Sequence, residues 1–290
     1  MARNALVLGG GGVLGISWGT GVLAGLQEAG VDATQADLVV GTSAGSVVGT
    51  QVACGRTLDE LMEMHREDRP DGIEANMEFD LQNVMAIFQK WAGFTEVTPA
   101  ACAEIGRMAI ASKTVSEERW VASFEELVGT AWPRRKLVLT AVDAESGAFQ
   151  LWDRESGIDL LHAVASSCAV PGIFPAVSAN GRRYVDGGVR SGTNADLAKG
   201  YDAVLMIAPI GARSDGIDPL LGRIARSEAA ALNAAGTTAE LVFPDEAALE
   251  AIGFNRMDST RRPLAAEAGR IQGFALAPQL EAAWRGAGVR

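Results

Sequence analysis

Histidine is nearly absent from this 290-residue chain, which holds only His65 and His162. Any histidine-dependent chemistry must run through one of these two positions. Cysteine is scarce as well: Cys54, Cys102 and Cys168 are an odd number with no C-x-x-C pair. That excludes a disulfide framework and leaves three buried free thiols in a reducing compartment as the expectation. Positive charge is in deficit, with 25 Lys and Arg against 36 Asp and Glu for a net charge of −11. Nucleic acid is therefore not an expected partner, because binding to a phosphate backbone draws on dense Lys and Arg. The same balance gives no overall attraction to an anionic membrane, so any contact with a lipid surface should be local, apolar and transient. No stretch of about 20 residues stays apolar without Gly, Ser, Pro or charge, so no transmembrane segment is expected. The N-terminus enters a glycine cluster directly and lacks the apolar core of a signal peptide. An EF-hand loop, an H-E-x-x-H motif and a Cys cluster are all missing, so neither a metal nor a cofactor is expected. A soluble, cytoplasmic protein is the expectation.

Apolar residues make up 48% of the chain, which excludes a disordered protein. A compact chain of this length buries about 75% of its unfolded surface without help from metals or disulfides. Ala5–Leu8 is a short apolar run ending at Gly9 and reads as a buried strand, followed by helical periodicity from Val13 to Gly30. Asp37–Val40 is a second buried strand, with a small-residue helix over Ala44–Cys54. Two strand–glycine turn–helix units in a row predict an α/β fold with a parallel sheet. Lys136–Ala141 and Ala148–Trp152 predict an edge hairpin, and strands at Arg182–Val185, Val204–Ala208 and near Glu240–Phe243 continue the sheet. Between them, Leu58–Val128 reads as mostly helical and carries Met62, Met64, Met77, Met85, Phe88, Trp91 and Phe94. These side chains are either the core of a helical insertion or the lining of an apolar tunnel or lid. No repeat, low-complexity segment or Pro/Gly-rich linker divides the chain, so residues 1–290 read as a single domain with a helical insertion at about 58–128.

Gly10-Gly11-Gly12-Val13-Leu14-Gly15 fits G-x-G-x-x-G after a strand and before a helix. One reading is a dinucleotide site, which demands an acid at the end of the second strand for the ribose. That strand instead ends in Gly41-Thr42-Ser43, and Asp32 lies before it. The other reading treats the glycines as bare N–H donors at a helix N-terminus, suited to a transient oxyanion. A tight strand-to-helix turn alone would also use them.

Gly41-Thr42-Ser43-Ala44-Gly45 is a G-x-S-x-G between a predicted strand and a predicted helix, the context that a strained nucleophile turn requires. Ser43 as a mere helix N-cap is the plainer alternative. A base for this serine is needed next. His65 falls in the charged run Met64-His65-Arg66-Glu67-Asp68, which reads as a solvated helix end, and His162 sits on a predicted packing helix after Asp143 and Asp153. A triad through His162 is formally open in chain order. Asp186, at a strand end before Gly187 and Gly188, is the stronger base: desolvation beside Ser43 would raise its pKa toward a useful value. Taken alone, Asp-Gly-Gly is also an ordinary turn.

Together, Gly10-Gly11-Gly12-x-x-Gly15, Gly41-x-Ser43-x-Gly45 and Asp186-Gly187-Gly188 resemble, in order and kind, the signature of the patatin-like phospholipase family. The block Ala163–Pro175 also looks like the family's segment ahead of its aspartate, and the resemblance spans about Ala5 to Asn194. It implies a three-layer α/β/α sandwich with a mostly parallel central sheet. It implies a Ser43–Asp186 dyad without histidine, an oxyanion hole at Gly10, Gly11 and Gly12, and motif support from Gly15, Gly41, Gly45, Gly187 and Gly188. The implied activity is hydrolysis of lipid esters, phospholipid or glyceride, through an acyl-serine. Two positions depart from the family pattern: Leu14 stands where many members carry Arg or Lys, and no proline stands near Asn194. A dinucleotide-binding enzyme and a catalytically silent lipid-binding homologue are the alternative readings.

Overall fold

The computed structural model describes residues 3–66 and 80–286. An eight-stranded mixed sheet lies between helical layers, an α/β sandwich. Its strands are β1 (Asn4–Leu8), β2 (Leu38–Gly41), β3 (Leu137–Asp143), β4 (Phe149–Trp152), β5 (Val177–Ala179), β6 (Arg182–Asp186), β7 (Ala203–Ile207) and β8 (Thr238–Val242). They run in the order β5-β6-β3-β2-β1-β7-β8, with β4 paired to β3. Strands β1, β2, β3, β7 and β8 are parallel, whereas β4, β5 and β6 join antiparallel.

The helices are α1 (Gly12–Glu28), α2 (Ala44–Ala53), α3 (Leu58–Arg66), α4 (Leu81–Ala92), α5 (Pro99–Ile110), α6 (Glu117–Ala122), α7 (Glu125–Val128), α8 (Leu160–Ser167), α9 (Asp218–Ala234), α10 (Glu246–Ile252) and α11 (Arg262–Gly286). None of the described helices is long and apolar enough to cross a membrane.

Alternation along the strands sorts the core into two faces. Leu6, Leu8, Val39, Leu139, Leu205 and Ile207 point to one face, against Leu14, Trp18 and Val22 of α1 and Val47 and Val48 of α2. Ala5, Val7, Leu38, Val40, Val204 and Met206 point to the other, against Ala229 and Leu232 of α9. Because both faces are covered, the central strands read as continuous apolar runs rather than alternating ones. Helices α1 and α11 meet backbone to backbone: a methyl group on Gly25 would land on the carbonyl of Arg270, and one on Gly273 on the carbonyl of Val22.

Two expectations need correction here, and one strand is added to those read from the sequence. The β3 strand is interior, paired along one edge with β4 and along the other with β2 and β6; of this hairpin only β4 is at an edge. The short strand β5 was not expected, since it is only three residues long and depends on its pairing with β6. Cys102 and Cys168 are buried thiols, but Cys54 is exposed, because it lies just past the last buried turn of α2.

Candidate active site

The register of the sheet explains how two distant motifs meet. Strand β2 runs parallel to β3 and stops with Gly41 opposite Leu139. Strand β6 runs the opposite way along the same edge of β3 and stops with Asp186 opposite Ala141. The C-terminal ends of β2 and β6 therefore face each other across Thr140, with Leu139 and Ala141 roughly 7 Å apart at strand spacing. The turns at those ends, Thr42-Ser43 on one side and Asp186-Gly187 on the other, converge on that gap. Thr140 Oγ1 hydrogen-bonds Thr42 Oγ1 at 2.8 Å and tethers the first of these turns.

Ser43 turns the chain from β2 into α2 with φ +54° and ψ −123°, a conformation open to few residues other than glycine. Its neighbours must be small. A methyl on Gly45 would land on the carbonyl of Leu8, and one on Gly41 would sit 2.6 Å from Ser46 Cα. The strained turn is held from several sides: Ser43 N–H donates to Ser167 Oγ at 3.1 Å, while Ser46 Oγ and Cys168 Sγ donate to the Ser43 carbonyl at 2.6 and 3.2 Å. Ser46 and Cys168 thus pack under the elbow, and α2 directs the positive end of its dipole at Ser43.

Asp186 is 3% exposed. Burial pushes its carboxyl group up to about 7; the neighbouring Ser43 hydroxyl and a hydrogen bond from the Gly188 N–H, 2.7 Å long, pull it part of the way back. The Asp186 N–H donates to the Ala169 carbonyl at 3.0 Å, which joins the strand end to the segment after α8.

The glycine loop closes the third side. A methyl on Gly10 would come 3.2 Å from Ser43 Cβ, so the loop lies directly against the serine. The Gly10 N–H donates to the Gly192 carbonyl at 2.9 Å, so that amide has a partner within the protein. The amides of Gly11 and Gly12 head α1, ahead of its internal hydrogen-bond ladder. Gly12 takes φ +63°, which favours glycine.

Beside Ser43 opens a cavity of about 860 Å³. Its walls are Val13 and Ile16 of α1, Val47 of α2, Leu61, Met64 and His65 of α3, Trp120 of α6, and Phe124, Phe174 and Met257. Trp120 stacks on Phe174 at a centroid distance of 3.7 Å and meets Phe124 edge-on at 4.7 Å.

The sequence leaves the Met and aromatic residues of the insertion open between a core and a cavity lining. Of the Met and aromatic residues between Met62 and Phe94, Met64 reaches the cavity. Trp91 is buried with Ile87 in a separate cluster under α4 and α5, Met85 is exposed, and Met77 lies outside the described residues. His65 is not a solvated helix end. It is 5% exposed on the cavity wall, its Nδ1 lies 3.2 Å from Ser17 Oγ, and burial, with the nearby Arg262, holds its pKa down at about 3. His162 contacts Asp159 through Nδ1 at 2.7 Å at the start of α8. Its two candidate acids are engaged elsewhere, Asp143 with Arg182 at 2.7 Å and Asp153 with Ser156 Oγ at 2.7 Å. Asp32 caps its own turn by accepting from Thr34 N–H at 3.0 Å, so it is not poised as a ribose acid for the glycine loop.

A second polar cluster had no sequence signal. Asn194, fully buried in a left-handed conformation, donates through Nδ2 to Thr42 Oγ1 at 3.1 Å and to the Ser191 carbonyl at 2.8 Å. Glu228 of α9, its pKa raised by burial, accepts from Ser191 Oγ at 2.7 Å and from Ala195 N–H at 3.0 Å. Together they fix the loop after Asp186-Gly187-Gly188 to the serine turn. The bonds that tie this network to Thr42 and to α9 join residues far apart in the chain, so no local pattern could reveal it.

Solved structures of similar shape include VipD from Legionella pneumophila, 15% identical with a TM-score of 0.44 over 96% of this chain and 67% of that one. The type III effector protein ExoU is 12% identical with a TM-score of 0.44, over 97% of this chain and 53% of its own, so this chain spans about half of ExoU's length. The family description of patatin-like phospholipases matches residues 6–199, which takes in the glycine loop, the serine elbow and the Asp-Gly-Gly turn. With most of its length inside that match, the chain belongs to the patatin-like phospholipase family.

Proposed function

We propose that this protein is a lipid acyl hydrolase that cleaves carboxylic esters through an acyl-enzyme on Ser43, with Asp186 as the base. Family membership supports lipid hydrolysis in general. The observation that carries the finer reading is the buried Asp186 carboxyl group, raised by burial to about 7 with the Ser43 hydroxyl as its neighbour, while Ser43 itself lines a largely apolar cavity. A base works best with a pKa near the operating pH, and an ordinary carboxylate near 4 is too weak for a serine.

In this reading each step has a residue of its own. Asp186 takes the Ser43 proton as Oγ attacks the ester carbonyl. The oxyanion lies toward the Gly11 and Gly12 amides at the head of α1, assisted by the α2 dipole. Gly10, whose own amide is engaged by Gly192, contributes closeness to Ser43 rather than a donor. Asp186 then gives its proton to the leaving alcohol and afterwards activates the water that releases the acid. The acyl chain occupies the cavity, whose volume of about 860 Å³ falls within the range of small-molecule sites. The substrate class is a long-chain ester of the phospholipid or glyceride kind, met in transient contact with a lipid surface. Phe254, 83% exposed and three residues from the cavity-lining Met257, is the apolar side chain suited to that contact.

The test is hydrolysis of a p-nitrophenyl ester series by wild type, Ser43→Ala and Asp186→Asn, with folding checked by circular dichroism. Loss of turnover in both folded variants is expected. Retained turnover in folded Asp186→Asn would remove Asp186 as the base.

A further inference from the structure

The residues that flank the glycine loop from outside come from the far end of the chain, beyond the segment that matches the family. The Leu14 N–H, in the first turn of α1, donates to the main-chain carbonyl of Arg256 at 3.0 Å. Gly12 is pressed by the same segment: a methyl there would meet Met257 Sδ at 3.0 Å and the Arg256 carbonyl oxygen at 3.1 Å. Arg256 is in turn fixed by its side chain. Its Nη2 donates to both carboxylate oxygens of Asp218, at 3.0 and 2.9 Å, and the two side chains are 19% and 2% exposed. Asp218 is immobilised as well, since Oδ1 accepts from the Gly211 and Arg213 N–H groups at 3.0 and 3.1 Å.

We infer that the buried Asp218–Arg256 ion pair is a positioning device for the oxyanion site: it clamps the Arg256 carbonyl onto the first turn of α1 and so fixes the Gly11 and Gly12 amides. The inference rests on the proposed role of those amides. Its physical basis is the sensitivity of preorganised donors to displacement. A shift of about 1 Å in a reacting geometry costs about 10²-fold in rate, and loss of one oxyanion donor costs about 10² to 10³. A glycine loop has no side chains of its own to resist such a shift, so stiffness must be supplied from outside. A buried pair with one member removed leaves an uncompensated charge, and the segment at 256–257 would then be free to leave Gly12.

The test uses Asp218→Asn, Arg256→Ala and Arg256→Lys with a p-nitrophenyl ester and the matching thionoester, whose developing sulfur anion is the poorer hydrogen-bond acceptor. Expected for Asp218→Asn and Arg256→Ala is a fall in kcat of about 10- to 100-fold with KM within about threefold. The preference for oxygen over sulfur substrate should shrink by about tenfold, as expected of weakened oxyanion donors. Arg256→Lys should recover part of both. Hydrogen exchange of the peptide covering residues 9–15 should quicken in the same two variants. An unchanged oxygen-to-sulfur preference in folded Asp218→Asn would overturn the inference, as would unchanged exchange at 9–15 in both variants. Ser43→Ala separates the two levels of argument. Turnover retained by Ser43→Ala would overturn the acyl-serine reading and this inference with it; an inactive Ser43→Ala beside an unperturbed Asp218→Asn would overturn this inference alone.

Discussion

The floor and the wall of the cleft are built on opposite principles. The floor, made of the glycine loop, the Ser43 elbow and the Asp186 turn, consists of small residues with short contacts and almost no exposure. Each of its turns is a local event, a strand that stops and a backbone that reverses. The wall is made of bulky side chains from α1, α3, α6 and the 257–262 segment, several of them partly exposed, which meet only once the chain has folded. The difference teaches where tolerance lies. The floor should fail on single atoms, whereas the wall should fail gradually and shift preference before it abolishes activity.

The largest effect is expected at the floor. Ser43→Ala should lower kcat by about 10⁴-fold or more, in line with loss of a nucleophile that acts as part of a unit, with the melting temperature little changed. Steady-state kinetics beside a thermal melt checks both halves. Residual turnover near wild type would break the comparison outright.

Asp186→Asn comes next, with a loss of about 10²- to 10⁴-fold for removal of a general base. Wild-type kcat/KM should rise with pH and level off above a midpoint near 7, the value at which burial leaves the carboxyl group of Asp186. A midpoint near 4 would mean that Asp186 is not the titrating base.

The wall should respond more mildly. Phe124, 4% exposed and edge-on to Trp120, is a good probe. Phe124→Ala should cost about 3 to 5 kcal/mol of stability and move the preferred acyl chain toward longer substrates. The kcat of short esters should fall by less than about fivefold, because side chains remote from the reacting atoms act mainly on binding. A uniform loss across chain lengths would place Phe124 with the floor.

The same contrast explains what was legible beforehand. Strands β1 and β2, helices α1 and α2, and the turns at Gly10–Gly15, Ser43 and Asp186 could be read because glycine spacing and apolar runs are local signals. The convergence of the ends of β2 and β6 across Thr140 could not, since it depends on a register among three strands. Nor could His65, whose charged neighbours in sequence suggested solvent while α3 turned its imidazole inward against Ser17. The glycine pairs that let α1 and α11 touch, Gly21 and Gly25 against Gly269 and Gly273, read as ordinary small residues until both helices are in place.

The smallest expected effect uses one ionisable group from each side. Asp186 belongs to the floor, and its folded pKa of about 7 lies above the carboxylate value of 3.8. Between those values the folded state holds a proton that the unfolded chain has released, so this group adds stability as pH falls from 7 toward 4. His65 belongs to the wall, and its folded pKa of about 3 lies below 6.5. Its contribution is present above pH 6.5 and is lost as pH falls, because the unfolded chain then gains a proton that the buried imidazole refuses. Between pH 7 and pH 5 each effect is on the order of 2 kcal/mol, at about 1.4 kcal/mol per pKa unit, and their signs are opposite. Wild type should therefore hide both. His65→Gln should gain stability on acidification relative to wild type, and Asp186→Asn should lose it, while His65→Gln leaves the midpoint of the pH–rate profile near 7. Urea unfolding of the three proteins at pH 7 and pH 5 measures the difference. Equal pH dependence in all three would mean that neither group is buried in the protonation state assigned to it, and the distinction between floor and wall would lose its electrostatic half.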